Sequence, residues 1–378
     1  MIDITNPERN GSQKVAEKEV AYQSVASSTA ESRMDPISGQ WTIFAPGRDQ
    51  RPEEIIAEGD AVDRNVACPF CAERESETPP PVWVGSLPET PSEWAVRVVP
   101  NKYPAVDAVD GAQADPSKAS LPKDETGLFQ RKAIRGGHEV FIESRTHAQS
   151  LSELDLAEVQ LLFEAYRDRL RTWRATPGIN YLSIFKNVGG KAGASLRHSH
   201  SQLIATDQLP ASVERSCQGM SRHRLTTGCC LQCDLLRGEM KAKHRIVWHD
   251  DSVVAYCPFA SRLPMSLRIT TLAHQPRFED LDAAAIASVS RIVKRAVSWL
   301  EKLRPGTSYN YCLHTQPPGV DTQTDAFHWS LDLFPRMTQV AGFEWSSDCM
   351  INPVLPETAA AKFRLIAKAE DPRSAFRS

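Results

Sequence analysis

The sequence lacks a strong charge of either sign and any long apolar segment. Its 378 residues carry a formal net charge of −3, with 44 Lys and Arg against 47 Asp and Glu, so there is no basic field to attract nucleic acid. No apolar run approaches the roughly 20 residues that would span a bilayer. We therefore expect neither a nucleic-acid partner nor a membrane span.

A signal for export is also missing. The N-terminus has no basic stretch followed by an apolar one, which is the pattern of a secretory signal peptide. Residues 1–33 are polar and rich in Ser, Glu and Gln, and we predict a disordered tail there. We expect a cytoplasmic location, where the nine cysteines are better interpreted as metal ligands and buried thiols than as disulfides.

What the chain does contain is one pattern of Cys and His that occurs twice. Each copy has a C-x-x-C pair, an isolated His and a further His about fifty residues later. The members are Cys68, Cys71, His147 and His198 in the first copy, and Cys230, Cys233, His274 and His328 in the second. Only the first copy continues with a second histidine, His200, where the second copy has Ser330. This asymmetry predicts one catalytic half and one structural half.

The spacing of these landmarks supports an internal repeat. His147 and His198 are 51 residues apart, and His274 and His328 are 54 apart. The gap from the Cys pair to the isolated His differs, 76 residues against 41, which indicates an insertion. A period this long predicts two related domains rather than a solenoid. We place the first repeat at 34–206, a linker at 207–228 and the second repeat at 229–378.

Strand and helix patterns recur in the same order in both halves. Alternating or continuous apolar runs predict strands at 94–100, 139–144 and 181–185 in the first half and at 252–258, 266–271 and 311–314 in the second. Apolar residues at steps of three and four predict a long helix between the second and third strands of each half. The predicted fold class is α+β, with two tandem domains, each a mainly antiparallel sheet with one long helix.

The two Cys and His sets favour structural zinc. A single C-x-x-C is also compatible with a turn that carries two buried thiols, but two such pairs with matched histidines suit Cys₂His₂ tetrahedra. Four protein ligands leave no open position on the metal, so we predict one structural zinc in each half. Ligand spacing alone allows Cys229 to replace Cys230, although the C-x-x-C pattern favours Cys230.

His200 is the candidate catalytic residue. An isolated histidine is often a hydrogen-bonded core residue, but this one has two informative neighbours in sequence. Upstream, residues 187–195 read NVGGKAGAS, a run of small residues whose backbone N–H groups can approach phosphate oxygens. Downstream, Gln202 offers an amide. Together these residues predict attack by a histidine nitrogen on phosphorus, through a covalent nucleotidyl-histidine.

These motifs resemble a known family. RMDPISGQWTIFAPGRDQRP at 33–52, CPFC at 68–71, VRVVPNKYP at 96–104, ESRTHAQSLSEL at 143–154 and FKNVGGKAGASLRHSHSQ at 185–202, followed by FHWSLDLFPR and AGFEWSSDCMINP, are similar to the galactose-1-phosphate uridylyltransferase family of the histidine-triad superfamily. The resemblance runs from about Arg33 to the C-terminal region. It implies that both halves are histidine-triad-like repeats.

The resemblance also implies roles for individual residues. His200 matches the nucleophile and Gln202 an amide that contacts the phosphoryl group, while the first Cys and His set matches zinc ligands. The implied substrate contacts are Arg48 and Arg51 at the nucleotide phosphates, Asn101 and Lys102 at the base, Asn187, Gly193 and Ser195 at the phosphates or hexose, and Phe343 and Glu344 at the sugar. An ordinary loop and edge strand is the alternative for the segment that holds the last two.

Three departures leave the substrate open. The family's usual H-P-H is H-S-H here, and both this form and the second C-x-x-C set resemble the plant ADP-glucose phosphorylase branch; the third departure is Ser330. We predict UDP-glucose as donor and galactose 1-phosphate as acceptor, with ADP-glucose phosphorylase as the alternative. A zinc-stabilised nucleotide-binding module without catalysis is the other alternative. The resemblance and the frequency of twofold assemblies predict a homodimer.

Overall fold

The computed structural model describes residues 29–50, 68–108, 128–320 and 325–370. Arg51 and residues 1–28 of the predicted tail lie outside these ranges. The described residues form an α+β fold built on one 11-stranded sheet and one three-stranded sheet. This confirms the predicted fold class.

The strands are numbered along the chain. Their bounds are β1 Glu31–Met34, β2 Trp41–Phe44, β3 Trp83–Gly85, β4 Val96–Pro100, β5 Asp107–Ala108, β6 Arg135–Ile142, β7 Tyr181–Val188, β8 His200–Thr206, β9 Ile246–His249, β10 Val253–Tyr256, β11 Leu267–Thr271, β12 Tyr309–His314, β13 Ser330–Pro335 and β14 Met350–Asn352. The large sheet runs β3-β4-β6-β8-β7-β12-β13-β11-β10-β9, with β5 parallel to β6.

The order of the large sheet repeats about its centre. β3-β4-β6-β8-β7 on one side has the same arrangement as β9-β10-β11-β13-β12 on the other. The two halves join where β7 pairs antiparallel with β12, from Tyr309 opposite Val188 to Leu313 opposite Ile184. The internal repeat is therefore visible in the topology, and the two copies share one continuous sheet.

Six helices are described. Their bounds are α1 Leu156–Arg174, α2 Ala211–Thr227, α3 Leu231–Ala242, α4 Ala283–Leu303, α5 Gly342–Ser347 and α6 Pro356–Glu370. The long helices α1 and α4 are the two predicted ones; they pack against each other and against one face of the large sheet. Their starts are capped, because the Glu158 carboxylate accepts from the Asp155 N–H at 2.9 Å and the Asp282 carboxylate accepts from the Ala285 N–H at 2.7 Å.

The main core lies between the large sheet and these two helices. The buried face of α1 begins at Val159 and includes Phe163 and Tyr166, whereas Leu156, at the first helical position, is 40% exposed. In α4 the buried residues follow the same three-and-four spacing. Burial of these apolar side chains holds the sheet rigid behind the functional residues.

The segment predicted as a linker is mostly helical. Helix α2 fills Ala211–Thr227, and its few apolar residues, among them Cys217 and Met220, pack in a small separate cluster with Ile37. The small sheet β1-β2-β14 combines strands from both ends of the described chain. Arg33 anchors this sheet to helix α6 through a salt bridge of 3.0 Å to Glu357. The predicted domain boundaries stay predictions.

No helix within the described ranges is long and apolar enough to cross a membrane.

The pairing of β6 with β8 depends on a close backbone approach at Gly136. A Cβ at this position would lie 1.8 Å from the backbone oxygen of Ala205, so Gly136→Ala must separate the two strands. We expect it to lower the free energy of unfolding by more than about 2 kcal/mol.

Gly238→Ala is the matched control. A Cβ there meets no atom within 4 Å, and Gly238 lies inside α3, where alanine is favoured over glycine by roughly 0.5–1 kcal/mol. Denaturant unfolding of both variants checks the prediction. Equal stability of the two would contradict the close approach of β6 and β8.

Candidate active site and metal clusters

The four predicted ligands of the first half come together in one cluster. The ligand atoms of Cys68, Cys71, His147 and His198 all lie within 4.8 Å of one another. Cys71 Sγ is 3.3 Å from His147 Nδ1 and 3.6 Å from His198 Nδ1. Cys68 Sγ is also 3.6 Å from His198 Nδ1.

The second half forms a matching cluster from Cys230, Cys233, His274 and His328, again with ligand atoms within 4.8 Å. Cys233 Sγ is 3.5 Å from Nδ1 of each histidine. In both clusters the two imidazole rings are 5.3 Å apart and nearly perpendicular. The cluster includes Cys230, as the C-x-x-C pattern favoured. Hydrogen bonding from Cys233 and from both histidines lowers the pKa of Cys230, which favours the thiolate, the form that binds metal.

The spacing suits a tetrahedral metal. Zinc with Zn–S near 2.3 Å and Zn–N near 2.0–2.1 Å places sulfur and nitrogen ligands about 3.6 Å apart, close to the distances found. In three of the four histidines, the Nε2 atom that faces away from the cysteines also has an acceptor in range. His198 Nε2 is 3.0 Å from the Ser144 carbonyl, His328 Nε2 is 3.1 Å from Thr271 Oγ1, and His274 Nε2 is 3.2 Å from Asp325 Oδ1. Such contacts orient histidine ligands, so both clusters can hold a metal ion.

His200 begins strand β8, and its side chain is buried. His198 lies two residues earlier, just before the strand begins. His200 Nδ1 donates to the carbonyl of His198 at 2.8 Å, which fixes the proton on Nδ1 and leaves the lone pair on Nε2. Burial lowers the pKa of His200. The imidazole is therefore neutral, as a nucleophile requires.

Phe70, between the two cysteines of the first C-x-x-C pair, links the cluster to His200. Its ring meets His198 edge-on with centroids 6.0 Å apart and His200 with centroids 5.5 Å apart. The corresponding residue of the second half is Gln232, which donates to the Tyr256 hydroxyl at 2.7 Å. The first half thus places an aromatic ring between its Cys and His cluster and His200, whereas the second half has an amide at the corresponding position.

Gln202 is oriented by a residue that the sequence did not reveal. The backbone N–H of Ala105 donates to His138 Nδ1 at 3.2 Å, so the proton of the neutral ring is on Nε2. Nε2 is 2.8 Å from Gln202 Oε1 and donates to it. Burial lowers the pKa of His138 and keeps the ring neutral. The predicted base contact, Asn101, also lies here, and its backbone N–H donates to the His138 carbonyl at 2.8 Å.

The glycine-rich loop follows β7 and is held by the second half. Asn310, on β12, donates to Asn187 Oδ1 at 2.8 Å and to the Ala192 carbonyl at 2.9 Å. Gly193 has φ of +84°, a left-handed conformation that favours glycine. The loop borders an open groove of about 560 Å³ that also includes Phe185, which is opposite Gln202 in the sheet.

The other predicted contacts are less closely grouped. Ser195 is exposed between the loop and His198, and Lys102 is exposed beside Asn101. Arg48 is exposed in a short helical turn after β2. Phe343 and Glu344 lie in α5, which precedes β14 of the same small sheet. Among the described residues, no hydrogen bond joins the side chains of Arg48, Phe343 or Glu344 to His200.

Sequence reasoning missed His138, Asn310 and Phe70. Phe70 stands inside a recognised motif, so its proximity to the histidines was open to prediction. The other two depend on strand pairing: His138 is opposite Ile204 across β6 and β8, and Asn310 is opposite Asn187 where the two repeats join. No local pattern in the sequence specifies either pairing.

Comparison with known proteins identifies the family. The family model "Galactose-1-phosphate uridyl transferase, N-terminal domain" matches residues 21–210. ADP-glucose phosphorylase of Arabidopsis thaliana is 32% identical over 347 residues, covering 91% of this chain and 95% of the relative. Galactose-1-phosphate uridylyltransferase of Thermotoga maritima is 25% identical over 341 residues, covering 88% of this chain and 98% of the relative.

A solved structure agrees with these sequence relatives. The crystal structure of an ADP-glucose phosphorylase from Arabidopsis thaliana with bound ADP-glucose superimposes with a TM-score of 0.75 at 31% identity, covering 89% of this chain and 99% of that one. Both halves of the chain are therefore shared with this relative, and the predicted family resemblance is confirmed. The chain belongs to the galactose-1-phosphate uridyl transferase family and is a nucleotidyltransferase.

Proposed function

We propose that this chain transfers a nucleotidyl group from a nucleotide sugar to a phosphate acceptor by way of His200. The 2.8 Å hydrogen bond from His200 Nδ1 to the His198 carbonyl carries the proposal, because it leaves the Nε2 lone pair for attack. In the first step Nε2 bonds to the α-phosphorus, and the bond from that phosphorus to the bridging oxygen breaks. The electron pair leaves with the hexose 1-phosphate.

The second step reverses this chemistry with a new partner. An oxygen of the acceptor phosphate attacks the same phosphorus, the bond to Nε2 breaks, and the imidazole recovers its lone pair. Two easier displacements thus replace one. The proton stays on Nδ1, hydrogen-bonded to the His198 carbonyl, throughout, so the ring carries its positive charge in the intermediate next to a backbone dipole.

The donor that the relatives support best is ADP-glucose, with inorganic phosphate as acceptor. Glucose 1-phosphate would leave in the first step and ADP in the second. The sequence motifs alone put UDP-glucose first, but the Arabidopsis relative named ADP-glucose phosphorylase shares 32% identity over 91% of this chain, against 25% for the Thermotoga uridylyltransferase.

Uridylyl transfer from UDP-glucose to galactose 1-phosphate is the second candidate. It is favoured by the family model over residues 21–210 and by the Thermotoga relative. The third hypothesis, a nucleotide-binding module without catalysis, is not retained, because the chain belongs to a family of nucleotidyltransferases and has both histidines of the motif.

Substrate contacts belong to the same proposal. The groove that the glycine-rich loop borders suits the donor phosphates, with Asn187 and Gly193 in its lining as contacts and Ser195 as a further contact. Asn101 and Lys102 would contact the base. Arg48 and Arg51 would bind the phosphates, since guanidinium groups suit bidentate anion recognition; Phe343 and Glu344 would contact the sugar.

We further propose structural zinc in both clusters, a cytoplasmic location and a homodimer. Exposed aromatic side chains near the small sheet, Trp41 at 53% and Trp345 at 78% exposure, are compatible with a partner surface. A solution mass of one chain, 42.0 kDa, would contradict the dimer.

The covalent intermediate is directly testable. Brief mixing with ADP-glucose in the absence of acceptor should add the mass of an AMP group, measured by intact-protein mass spectrometry. UDP-glucose should give little adduct if adenylyl transfer is the activity. His200→Ala should give none with either donor.

A UMP-sized adduct would instead support the uridylyl reaction. No adduct with either donor, under conditions where inhibitor or product binding proves the protein folded, would exclude the covalent route for both.

Metal analysis tests the clusters. We expect two zinc ions per chain by elemental mass spectrometry, and one in either Cys71→Ser or Cys233→Ser, because each removes one of four ligands. Cys71→Ser should also reduce adduct formation, since His198 is two residues from the nucleophile. Cys349→Ser, outside both clusters, serves as the control and should keep both metals. A stoichiometry of one in the unaltered protein would contradict zinc in one of the clusters.

His138 is expected to act through Gln202. Without the Nε2–H donor the amide is free to rotate, so His138→Phe should reduce kcat about tenfold with a smaller effect on KM, as expected when a reacting group is misplaced. His244→Phe, at an exposed position in the second repeat, is the matched control. Unchanged kcat in His138→Phe, together with a strong loss in Gln202→Ala, would show that His138 does not orient the amide.

A further inference from the structure

A buried ion pair lies directly behind the histidine motif. Lys186 on β7 and Glu143 just after β6 are both fully buried and hydrogen-bonded to each other. Lys186 Nζ also donates to Ser199 Oγ at 2.9 Å and to the His200 carbonyl at 3.1 Å. Ser199 Oγ in turn donates to Glu143 Oε2 at 2.6 Å. The pair therefore holds two consecutive residues of the H-S-H motif.

Such a pair is costly to bury. Removing both charges from water carries a desolvation penalty that their attraction does not always offset. Burial lowers the pKa of Lys186, and the nearby Glu143 opposes that shift. If the pair served only the stability of the fold, apolar side chains would serve as well. The second repeat shows what the same position contains where no nucleophile is present.

Ser199 corresponds to Trp329 by the backbone bonds that both residues make. The Ser199 N–H donates to the Ala148 carbonyl at 2.7 Å, and the Trp329 N–H donates to the Gln275 carbonyl at 3.0 Å. In each half the acceptor is the residue that follows the isolated histidine ligand. A polar hydroxyl in the catalytic half is thus replaced by a buried indole in the other.

Glu143 corresponds to Thr271 through strand register. Ile142 is opposite His200 in the pairing of β6 with β8, so the next residue, Glu143, lies opposite Ser199, and its N–H donates to the Ser199 carbonyl at 3.3 Å. Ile269 is opposite Leu331 in the pairing of β11 with β13, and the same register puts Thr271 opposite Trp329. The Trp329 indole N–H donates to Thr271 Oγ1 at 3.1 Å. The carboxylate of the first half is thus replaced by a neutral hydroxyl in the second.

Lys186 corresponds to Leu313 through strand register. Lys186 is opposite Ser201 in the pairing of β7 with β8, and Leu313 is opposite Leu331 in the pairing of β12 with β13. Ser201 and Leu331 each follow the position of the nucleophile, His200 or Ser330, by one residue. Leu313 and Leu331 are both buried.

The two halves of one sheet thus differ systematically behind this position. The half with His200 has a lysine, a glutamate and two serines, and the half with Ser330 has two leucines, a tryptophan and a threonine. The second half therefore fills the corresponding positions with uncharged side chains. The ion pair occurs only where a nucleophile has to be held.

We propose that Lys186 and Glu143 are positioning residues, which fix the backbone of Ser199 and His200 and so aim His200 Nε2 at the donor phosphorus. The inference rests on the proposed function of His200. An ammonium group has three donors, and here Glu143, Ser199 and the His200 carbonyl take all three. A fully satisfied buried network rigidifies its members. An apolar side chain in place of Lys186 cannot hold the His200 carbonyl.

The network also assigns a role to Ser199, the serine of the H-S-H motif. Ser199 contributes its N–H to the Ala148 carbonyl and its hydroxyl to the ion pair. Proline, the residue usual at this position in the family, has neither group. The H-S-H form is therefore part of the same positioning device as Lys186 and Glu143.

The test removes both charges together, because one alone leaves an unpaired buried charge. The double variant Glu143→Gln with Lys186→Met keeps side-chain length. We expect its melting temperature to stay within a few degrees of the unaltered protein and its KM to stay within about twofold. The rate of adduct formation on His200 should fall about ten- to a hundred-fold, as expected for a misplaced reacting atom.

Two further variants distinguish a loss of positioning from a general loss of stability. Ser199→Ala removes one hydroxyl without changing charge and should slow adduct formation in the same direction. Glu279→Gln breaks another buried ion pair, with Arg174, whose partners do not touch the histidine motif; it should lower the melting temperature and leave the rate of adduct formation unchanged. Unaltered rates in both the double variant and Ser199→Ala would overturn the proposal.

A second readout does not depend on turnover. In protein labelled with ¹⁵N-histidine, the Nδ1 proton of His200 should give a slowly exchanging NMR signal that is lost in the double variant and kept in Glu279→Gln. If the unaltered protein forms no adduct with either donor, the proposed function fails, and this signal alone decides the positioning role. A signal that persists in the double variant would then overturn it.

Discussion

The hydrogen bond from His200 to the carbonyl of His198 is the interaction on which the rest of the site depends. At 2.8 Å it fixes the proton on Nδ1 and leaves one nitrogen lone pair directed away from the backbone. The surrounding residues hold the His200 ring and its backbone in this orientation. The His198 side chain belongs to the Cys and His cluster, and Phe70 packs against the rings of His198 and His200. The ammonium group of Lys186, paired with Glu143, donates to the His200 carbonyl. The proposed nucleophile is thus preorganised before any substrate binds.

The two halves of the large sheet repeat the same architecture. Both halves keep the strand order, the long helix and a Cys and His cluster with rings 5.3 Å apart. Only the first half has the proposed nucleophile and the charged residues behind it. The second half contributes to the first through the shared strand pairing, since Asn310 donates hydrogen bonds to Asn187 and to the glycine-rich loop. Joining β7 to β12 therefore makes the second repeat part of the site and not only a support.

Much of this was open to prediction from the sequence. Periodicity gave the long helices, and the repeated C-x-x-C and His landmarks gave both clusters. Helix α2 was missed because its buried face has few apolar residues, Cys217 and Met220 among them, so its amphipathic pattern is weak. The contact of His138 with Gln202 and the pairing of Lys186 with Glu143 join residues 64 and 43 apart in the chain. Register sets both contacts, and local sequence does not encode register across a crossover.

One measurement tests the central claim most directly, that the nucleotidyl group rests on His200 between two displacements. Isotopically labelled glucose 1-phosphate is incubated with ADP-glucose, and in parallel with UDP-glucose, without inorganic phosphate or any other acceptor. The account predicts that label enters the nucleotide sugar of the true donor, and that His200→Ala abolishes this exchange. Exchange that requires the second acceptor would contradict the covalent intermediate and would leave His200 a binding residue in a single displacement.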